Sequence, residues 1–431
     1  MLVNVEMEER TPRPEKIVVV GLGYIGLPTA AALAVGGHVV VGVDLNEATV
    51  ESVARGQVPF VEPDLQETLA QAISLGRLTT STTIPPADVY ILAVPTPYLE
   101  DHTADLSYVE AASRQVAAAC RGGELVILES TCPPGATQFV ADVFSETRPD
   151  LAVNNENSSS AMQFVHCPER VLPGRIMIEI KTNARIIGGL TTSAAERAKR
   201  IYESFCSGPI RLTDAKTAEM AKLVENSFRD VNIAFANELS LICETLKINV
   251  WELIELANQH PRVNILQPGP GVGGHCIAVD PWFIVASDPI NSNLIRTARE
   301  VNDRKPAFVV QQLMNAVEEK AVPVVAILGL AFKANIDDLR ESPAVEILRR
   351  ALDVVPGIEF YVAEPHISTL PHDLVNEGRV ELVETAVALD KSNIVVALVD
   401  HDEFQMISTD DLSGKTLIDS KGIFNNLVPA V

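Results

Sequence analysis

A glycine-crowded stretch, Pro268-Gly-Pro-Gly-Val-Gly-Gly-His-Cys276, ends in a single thiol. Four glycines in these nine residues lose much backbone entropy on folding, a cost that makes sense where a ligand must approach the chain closely. A cysteine in that setting reads as an activated nucleophile able to bond to a substrate carbon. A lone cysteine is more often a small buried hydrophobe, and the glycines argue against that here. Asp280 follows four residues later, near enough to orient a base or a water. His275 stands beside the thiol, where an imidazolium would lower its pKa, although adjacent side chains often diverge.

A second chemical signal lies near the start of the chain. Gly21-Leu-Gly23-Tyr24-Ile25-Gly26 is a GxGxxG motif between a β-branched run at 17–20 and a helical stretch at 27–35. The first glycine permits the tight turn, the second lets a pyrophosphate approach the backbone, and the third lets helix and strand pack closely. The helix N-terminus then offers free N–H groups to phosphate. Asp44 closes the next β run, eighteen residues after Gly26. A carboxylate there accepts hydrogen bonds from ribose hydroxyls and repels a 2′-phosphate, which favours NAD over NADP. Two further strand ends carry Pro95-Thr96-Pro97 and Ser130-Thr131-Cys132-Pro133. Ligands of open α/β sheets bind outside such ends, so Thr96 and Thr131 are candidate cofactor contacts; ordinary turn prolines are the alternative.

Cationic residues recur at helical spacing. Lys222, Asn226 and Arg229 fall at i, i+4 and i+7 on one helix face, among apolar neighbours. The stripe suits a polar ligand in a cleft, and equally a solvated face with Glu225 as ion-pair partner. Lys333 and Arg340 stand just before Ser342-Pro343, a good N-cap and N1 pair, and could bind phosphate; a plain surface loop is the other reading.

The elements that must position these groups follow from periodicity. Runs at 17–20, 38–43, 88–94, 124–129 and 185–187, separated by helical patterns, predict a parallel sheet covered on both faces. Residues 217–243 hold no Gly or Pro, which predicts a helix roughly 40 Å long at ~1.5 Å per residue. It reads as a spine joining two domains and a dimer surface. A shorter helix is expected at 293–302. Runs at 324–328, 359–362, 394–399 and 416–418 with a helix at 343–352 predict a second doubly wound sheet. The expected plan is α/β: two Rossmann-like doubly wound parallel-sheet domains joined by a long central helix. Its parts are 15–211 for NAD, 212–308 for the helix and thiol loop, and 309–431 for the substrate nucleotide.

Composition bounds the rest. The chain has 431 residues, and 57 acidic against 34 basic residues give a net charge of −23, which argues against a nucleic-acid binder or polybasic membrane protein. The six cysteines show no CxxC spacing, so neither zinc nor a disulfide framework is expected. Residues 1–9 lack the basic and apolar regions of a signal peptide, and the most apolar stretch, 27–43, is broken by Pro28, three glycines and His38. The reading is a cytoplasmic protein with reduced thiols.

GLGYIGLP at 21–28, Cys-Pro-Glu-Arg at 167–170, AKLVEN at 221–226, GVGGHCIAVDP at 271–281 and FKANIDDLRESP at 332–343 together resemble the UDP-glucose/GDP-mannose dehydrogenase family, from about residue 16 to 424. GGHCIAVDPWF at 273–283 and PERVLPG at 168–174 look most like its branch acting on UDP-N-acetyl-D-mannosamine. The resemblance implies a four-electron, NAD-dependent oxidation of a sugar C6 hydroxyl to a carboxylate through a thiohemiacetal and a thioester on Cys276. It implies that Lys222 stabilises an oxyanion or exchanges protons beside Asn226, that Asp280 assists the base or water, and that Glu169 is another candidate for water activation. It places Tyr24, Ile25 and Arg340 with the glycines at the cofactor. Arg170, Val171, Arg229, His260 and Arg262 would contact a UDP-N-acetylhexosamine, together with Gly274, Phe332, Lys333 and Lys421. A homodimer through the central helix and a product destined for surface polysaccharides are implied as well.

Two departures matter. UDP-glucose members carry a second Glu four residues after the first, and position 173 here is Pro. Lys421-Gly422 stands where many relatives have Arg-Gly, which suits a phosphate contact but not a bidentate one. UDP-N-acetylglucosamine, UDP-glucose and GDP-mannose therefore stay open as substrates. Two other classes do too: a two-electron hydroxyacid dehydrogenase, which needs no nucleophilic cysteine, and a non-catalytic nucleotide-sugar sensor.

Overall fold

A computed structural model of the chain describes residues 14–156, 158–172, 174–274, 277–375 and 378–425. The expected nucleophile Cys276, its neighbour His275 and Pro173 lie outside the described residues, as does the N-terminal stretch 1–13. The chain divides into two compact units, Met1–Val224 and Glu225–Val431.

The first unit is built on eight strands: β1 Lys16–Val20, β2 Val39–Val43, β3 Leu78–Ser81, β4 Val89–Leu92, β5 Leu125–Leu128, β6 Gln163–His166, β7 Arg185–Gly189 and β8 Ile210–Asp214. They lie in the order β3-β2-β1-β4-β5-β6-β7-β8. Every pairing is parallel except β6 with β7. Strand β1 shows why its run is β-branched throughout: Ile17 and Val19 enter one apolar core, Val18 and Val20 the other. The second unit repeats the logic with β9 Val324–Leu328, β10 Glu359–Ala363, β11 Val380–Leu382, β12 Ile394–Ala397 and β13 Thr416–Asp419, ordered β11-β10-β9-β12-β13 and all parallel.

The α/β plan with two parallel sheets and a long helix is the one expected. Strands β3, β6, β8 and β11 had no counterpart in the periodicity. β3, β8 and β11 close sheet edges, where one flank meets water and polar residues such as Thr79, Arg211 and Glu381 are tolerated. β6 is central but offers only Phe164 and Val165 as an apolar run. The long helix is Ala215–Leu246, 32 residues. The helix expected to stop at 302 continues to Glu318 through Pro306. Proline removes one intrahelical hydrogen bond. Beyond it, Val309, Val310, Leu313 and Ala316 are buried in the core of the second sheet, and that burial outweighs the lost bond. Among the described residues, no helix is long and apolar enough to cross a membrane.

A buried polar cluster ties the first unit together. Tyr202 Oη and Thr29 Oγ1 each donate to Glu129 at 3.0 Å, and Arg185 pairs with Glu169 at 2.9 Å. Burial, reinforced by the Glu169 charge, pushes the Glu129 carboxyl up to about 8. Folded Glu129 thus holds a proton at neutral pH that the unfolded chain, with an ordinary value of 4.5, has lost. Stability from this group is greatest below about pH 4.5 and falls as pH rises towards about 8. Glu129→Gln, permanently neutral, should flatten the decline in thermal midpoint between about pH 5 and about pH 8. An unchanged slope in calorimetry across that range would show that the carboxyl is not protonated.

Candidate functional site

In the first unit the glycine motif forms a cradle whose shape its glycines require. Gly21 has φ +96°, and a Cβ there would lie 2.4 Å from the Ala93 carbonyl oxygen. A Cβ at Gly26 would lie 1.8 Å from Gly21 O, so helix Gly26–Val35 could not pack down on the turn. At Gly23 nothing stands within 4 Å, which leaves the backbone open to a ligand. Asp44 sits at the end of β2; its Oδ2 accepts the Leu22 N–H at 2.8 Å and its Oδ1 the Asn46 N–H at 2.9 Å. Each oxygen keeps a lone pair for a ribose hydroxyl. These residues fit a dinucleotide. Tyr24 stacks on Phe60, centroids 4.2 Å apart, and Ile25 is half-buried beside it.

The loops after the two other strand ends are joined to each other. Thr96 Oγ1 donates to Thr131 O at 2.5 Å, and Ser130 Oγ donates to Val94 O at 2.6 Å, joining the loops after β4 and β5. Sequence reading missed the group that anchors the second loop. Glu219 accepts from Gly135 N at 2.5 Å, Thr137 N at 2.7 Å and Thr137 Oγ1 at 2.6 Å, capping helix Ala136–Thr147. Burial pushes its carboxyl upward while these donors pull it down. Glu219 also belongs to the one group among the described residues, Cys132, His166 and Glu219, whose ligand-type atoms lie within 4.8 Å of one another. Both of its oxygens serve the cap, and Cys132 Sγ stands 3.8 Å from His166 Nδ1.

Glu169 is buried. One oxygen pairs with Arg185, and the other accepts the Arg170 N–H at 2.9 Å. Arg170 Nη1 donates to Ala184 O at 2.8 Å, and Val171 is half-buried next to it. Lys222, half-buried, and Asn226, buried, are one turn apart on the long helix, and Arg229 is exposed.

In the second unit Asn226 Nδ2 donates to Asp280 Oδ2 at 2.5 Å. Both groups are buried, and Asp280 opens helix Asp280–Ser287. The glycine loop is seated on the segment that carries Phe332 and Lys333. A Cβ at Gly273 would lie 2.3 Å from Glu341 O, and one at Gly274 3.0 Å from the Phe332 ring. The glycine density was read as room for a ligand; at these positions the chain itself takes the room. Lys333 is exposed, and Arg340 forms a forked pair with Asp338 at 2.8 and 2.6 Å. Lys421 pairs with Asp400 at 3.1 Å. Asp419 holds its turn by accepting the N–H groups of Lys421, Gly422 and Phe424. His260 and Arg262 are exposed, and His260 Nδ1 accepts the Arg262 N–H at 3.3 Å.

A buried relay, also missed, fixes the start of the loop. Gly269 N donates to Asn237 Oδ1, Asn237 Nδ2 to Asn302 Oδ1, and Asn302 Nδ2 to Asp230 Oδ1, each at 2.8 Å. Arg299 closes it with an ion pair to Asp230 at 2.5 Å.

Known proteins match over the whole of this arrangement. Residues 15–206, 216–304 and 326–426 match the NAD binding, central and UDP binding domains of the UDP-glucose/GDP-mannose dehydrogenase family. The chain is 53% identical to the NDP-N-acetyl-D-galactosaminuronic acid dehydrogenase of Ralstonia nicotianae, over 95% of this chain and 96% of that one. It is 51% identical to the UDP-N-acetyl-D-mannosamine dehydrogenase of Escherichia coli K12, over 95% and 99%. The solved UDP-N-acetylmannosamine dehydrogenase of Pyrococcus horikoshii superposes with a TM-score of 0.84 at 38% identity, covering 95% of this chain and 96% of that one.

Two substitutions probe the anchors. Glu219→Ala strips three donors of their acceptor and should lower stability by about 1–3 kcal/mol in urea unfolding while raising the KM for NAD. Asn237→Asp cannot donate to Asn302; it should lower kcat ~10-fold or more with little change in NAD affinity, read by NADH absorbance.

Proposed function

The chain belongs to the UDP-glucose/GDP-mannose dehydrogenase family, and we propose that it oxidises UDP-N-acetyl-D-mannosamine to UDP-N-acetyl-D-mannosaminuronate. The enzyme is an NAD-dependent nucleotide-sugar dehydrogenase. The observation that carries the proposed chemistry is the buried Asn226–Asp280 hydrogen bond, which brings a helix amide and a carboxylate together four residues from position 276.

NAD, when bound, supplies the hydride acceptor for each of two oxidations. The C6 hydroxyl passes its one proton to Lys222, with Asp280 assisting, and an aldehyde forms as the hydride leaves. The Cys276 thiolate adds to that carbon, making a C–S bond, and Lys222 and Asn226 stabilise the oxyanion. The second oxidation gives a thioester. Water activated by Asp280 attacks it, the C–S bond breaks, and the thiolate is restored. One alcohol, two NAD and one water become one carboxylate, two NADH and three protons. Glu169, engaged by Arg185 and the Arg170 N–H, orders the Arg170–Val171 segment rather than the water.

Residues 15–211 serve the cofactor, 212–308 carry the long helix and the thiol, and 309–431 hold the UDP with Lys333 and Lys421. Arg229, His260, Arg262, Gly274 and Phe332 complete the sugar-nucleotide contacts, and Arg340 the cofactor's. The assembly is a homodimer. Phe228, Phe235 and Ile242, seven residues apart on one helix face, are 67%, 54% and 46% exposed, which is apolar surface that a second copy would cover. A second reading, oxidation of another nucleotide-linked N-acetylhexosamine, is supported by the 53% identity to the N-acetylgalactosaminuronic acid enzyme.

Incubation with UDP-N-acetylmannosamine, UDP-N-acetylgalactosamine, UDP-N-acetylglucosamine, UDP-glucose and GDP-mannose should release two NADH per sugar with the first alone. Two NADH per UDP-glucose would refute the substrate. Cys276→Ala should abolish uronate formation, and full conversion by that variant would remove the covalent route.

A further inference from the structure

The second unit holds a cavity of about 450 Å³ whose walls include Ser240, Trp251, Lys305, Phe308, Asp419 and Ser420. Its ammonium group needs an explanation. Lys305 is 4% exposed. Its Nζ donates to Ser240 Oγ and stands 4.8 Å from the Phe308 ring centroid. An ammonium has three donors, so two N–H remain. Among the described residues no carboxylate comes within ion-pair distance of it. Glu244, the acid whose field reaches it, pairs with Lys247 at 3.8 Å. Asp419, on the cavity wall, has both oxygens on backbone N–H groups. Burial lowers the ammonium to about 8, which leaves it protonated at neutral pH. A cation held out of water by one hydroxyl and a ring face is poorly compensated, and an anion in the cavity would complete it. The volume suits a small organic molecule.

We infer that this cavity binds a small organic anion, a carboxylate or phosphate held on Lys305 and Ser240, and that its occupancy tunes UDP-sugar binding. The second half rests on the reading of Lys421 as a substrate contact. Two wall residues reach the turn that carries Lys421. Asp419 caps that turn, and a Cβ at Gly422 would lie 2.6 Å from Trp251 Cδ2, so the indole packs directly on its backbone. A ligand that shifts either residue shifts Lys421.

Calorimetric titration of the full chain without nucleotide sugar tests the site, with inorganic phosphate and citrate as probes and chloride as the ionic-strength control. One probe should bind saturably, and at least ~10-fold more weakly to Lys305→Met and Lys305→Gln. Binding of phosphate alone assigns a phosphate ligand, and binding of citrate alone a carboxylate. Equal binding by the variants, or no saturable binding by the native chain, overturns the site. Lys305→Met removes a buried charge while keeping most of the side-chain volume, so its thermal midpoint should equal or exceed that of the native chain, which separates lost binding from lost folding. The bound probe should also shift the KM for UDP-N-acetylmannosamine in the native chain and not in Lys305→Met; an unmoved KM overturns the coupling. If no nucleotide sugar is oxidised, the functional reading fails, while the calorimetry still decides the site.

Discussion

Asn237 accepts the Gly269 N–H with its carbonyl and donates to Asn302 with its amide, and the glycine loop that leads to position 276 starts from that fixed point. A carboxamide offers both an acceptor and a donor in one plane, and here both ends are used. Behind it, Asp230 has no freedom to turn away, because Asn302 and Arg299 both donate to its Oδ1. The loop then lies on the Phe332–Pro343 segment with no room for a Cβ at Gly273. At Gly273 and Gly274 the conformational freedom of the glycines is consumed in seating the loop on its own chain.

The same requirement, that a buried polar group find a partner, is met in three ways in this molecule. Arg185 and Glu169 meet it as an ion pair, leaving Glu129 to take a proton instead of a second charge. Glu219 meets it with three donors at a helix start, and its own carboxylate ties the long helix to the loop bearing Thr131. Lys305 meets it least, with a hydroxyl and an aromatic face. The first two explain rigidity. The third is the kind of incomplete compensation that a ligand can finish.

The cofactor cradle and the thiol loop obey different rules. At the cradle, Gly23 is open and Asp44 keeps acceptor capacity, so backbone and carboxylate face outward to a ligand. At the loop, Gly273 and Gly274 face inward to the chain. Glycine density alone therefore does not distinguish a residue that makes space for a ligand from one that makes space for its own fold.

The residues alone determined the GxGxxG turn, Asp44 at the following strand end, most strands of both sheets, and the long helix. Each is legible because it depends on neighbours within a few positions: β-branched runs, helical periodicity, and glycines at a turn of positive φ. Tertiary structure alone decided strands β3, β6, β8 and β11, the passage of a helix through Pro306, and the partners of Glu219, Asn237, Glu129 and Lys305. Glu219 and Thr137 are 82 residues apart, Asn237 and Asn302 65. No local pattern encodes such a bond. Which distant donor a buried acceptor finds is settled only when the elements that carry them pack within one unit and water is excluded between them.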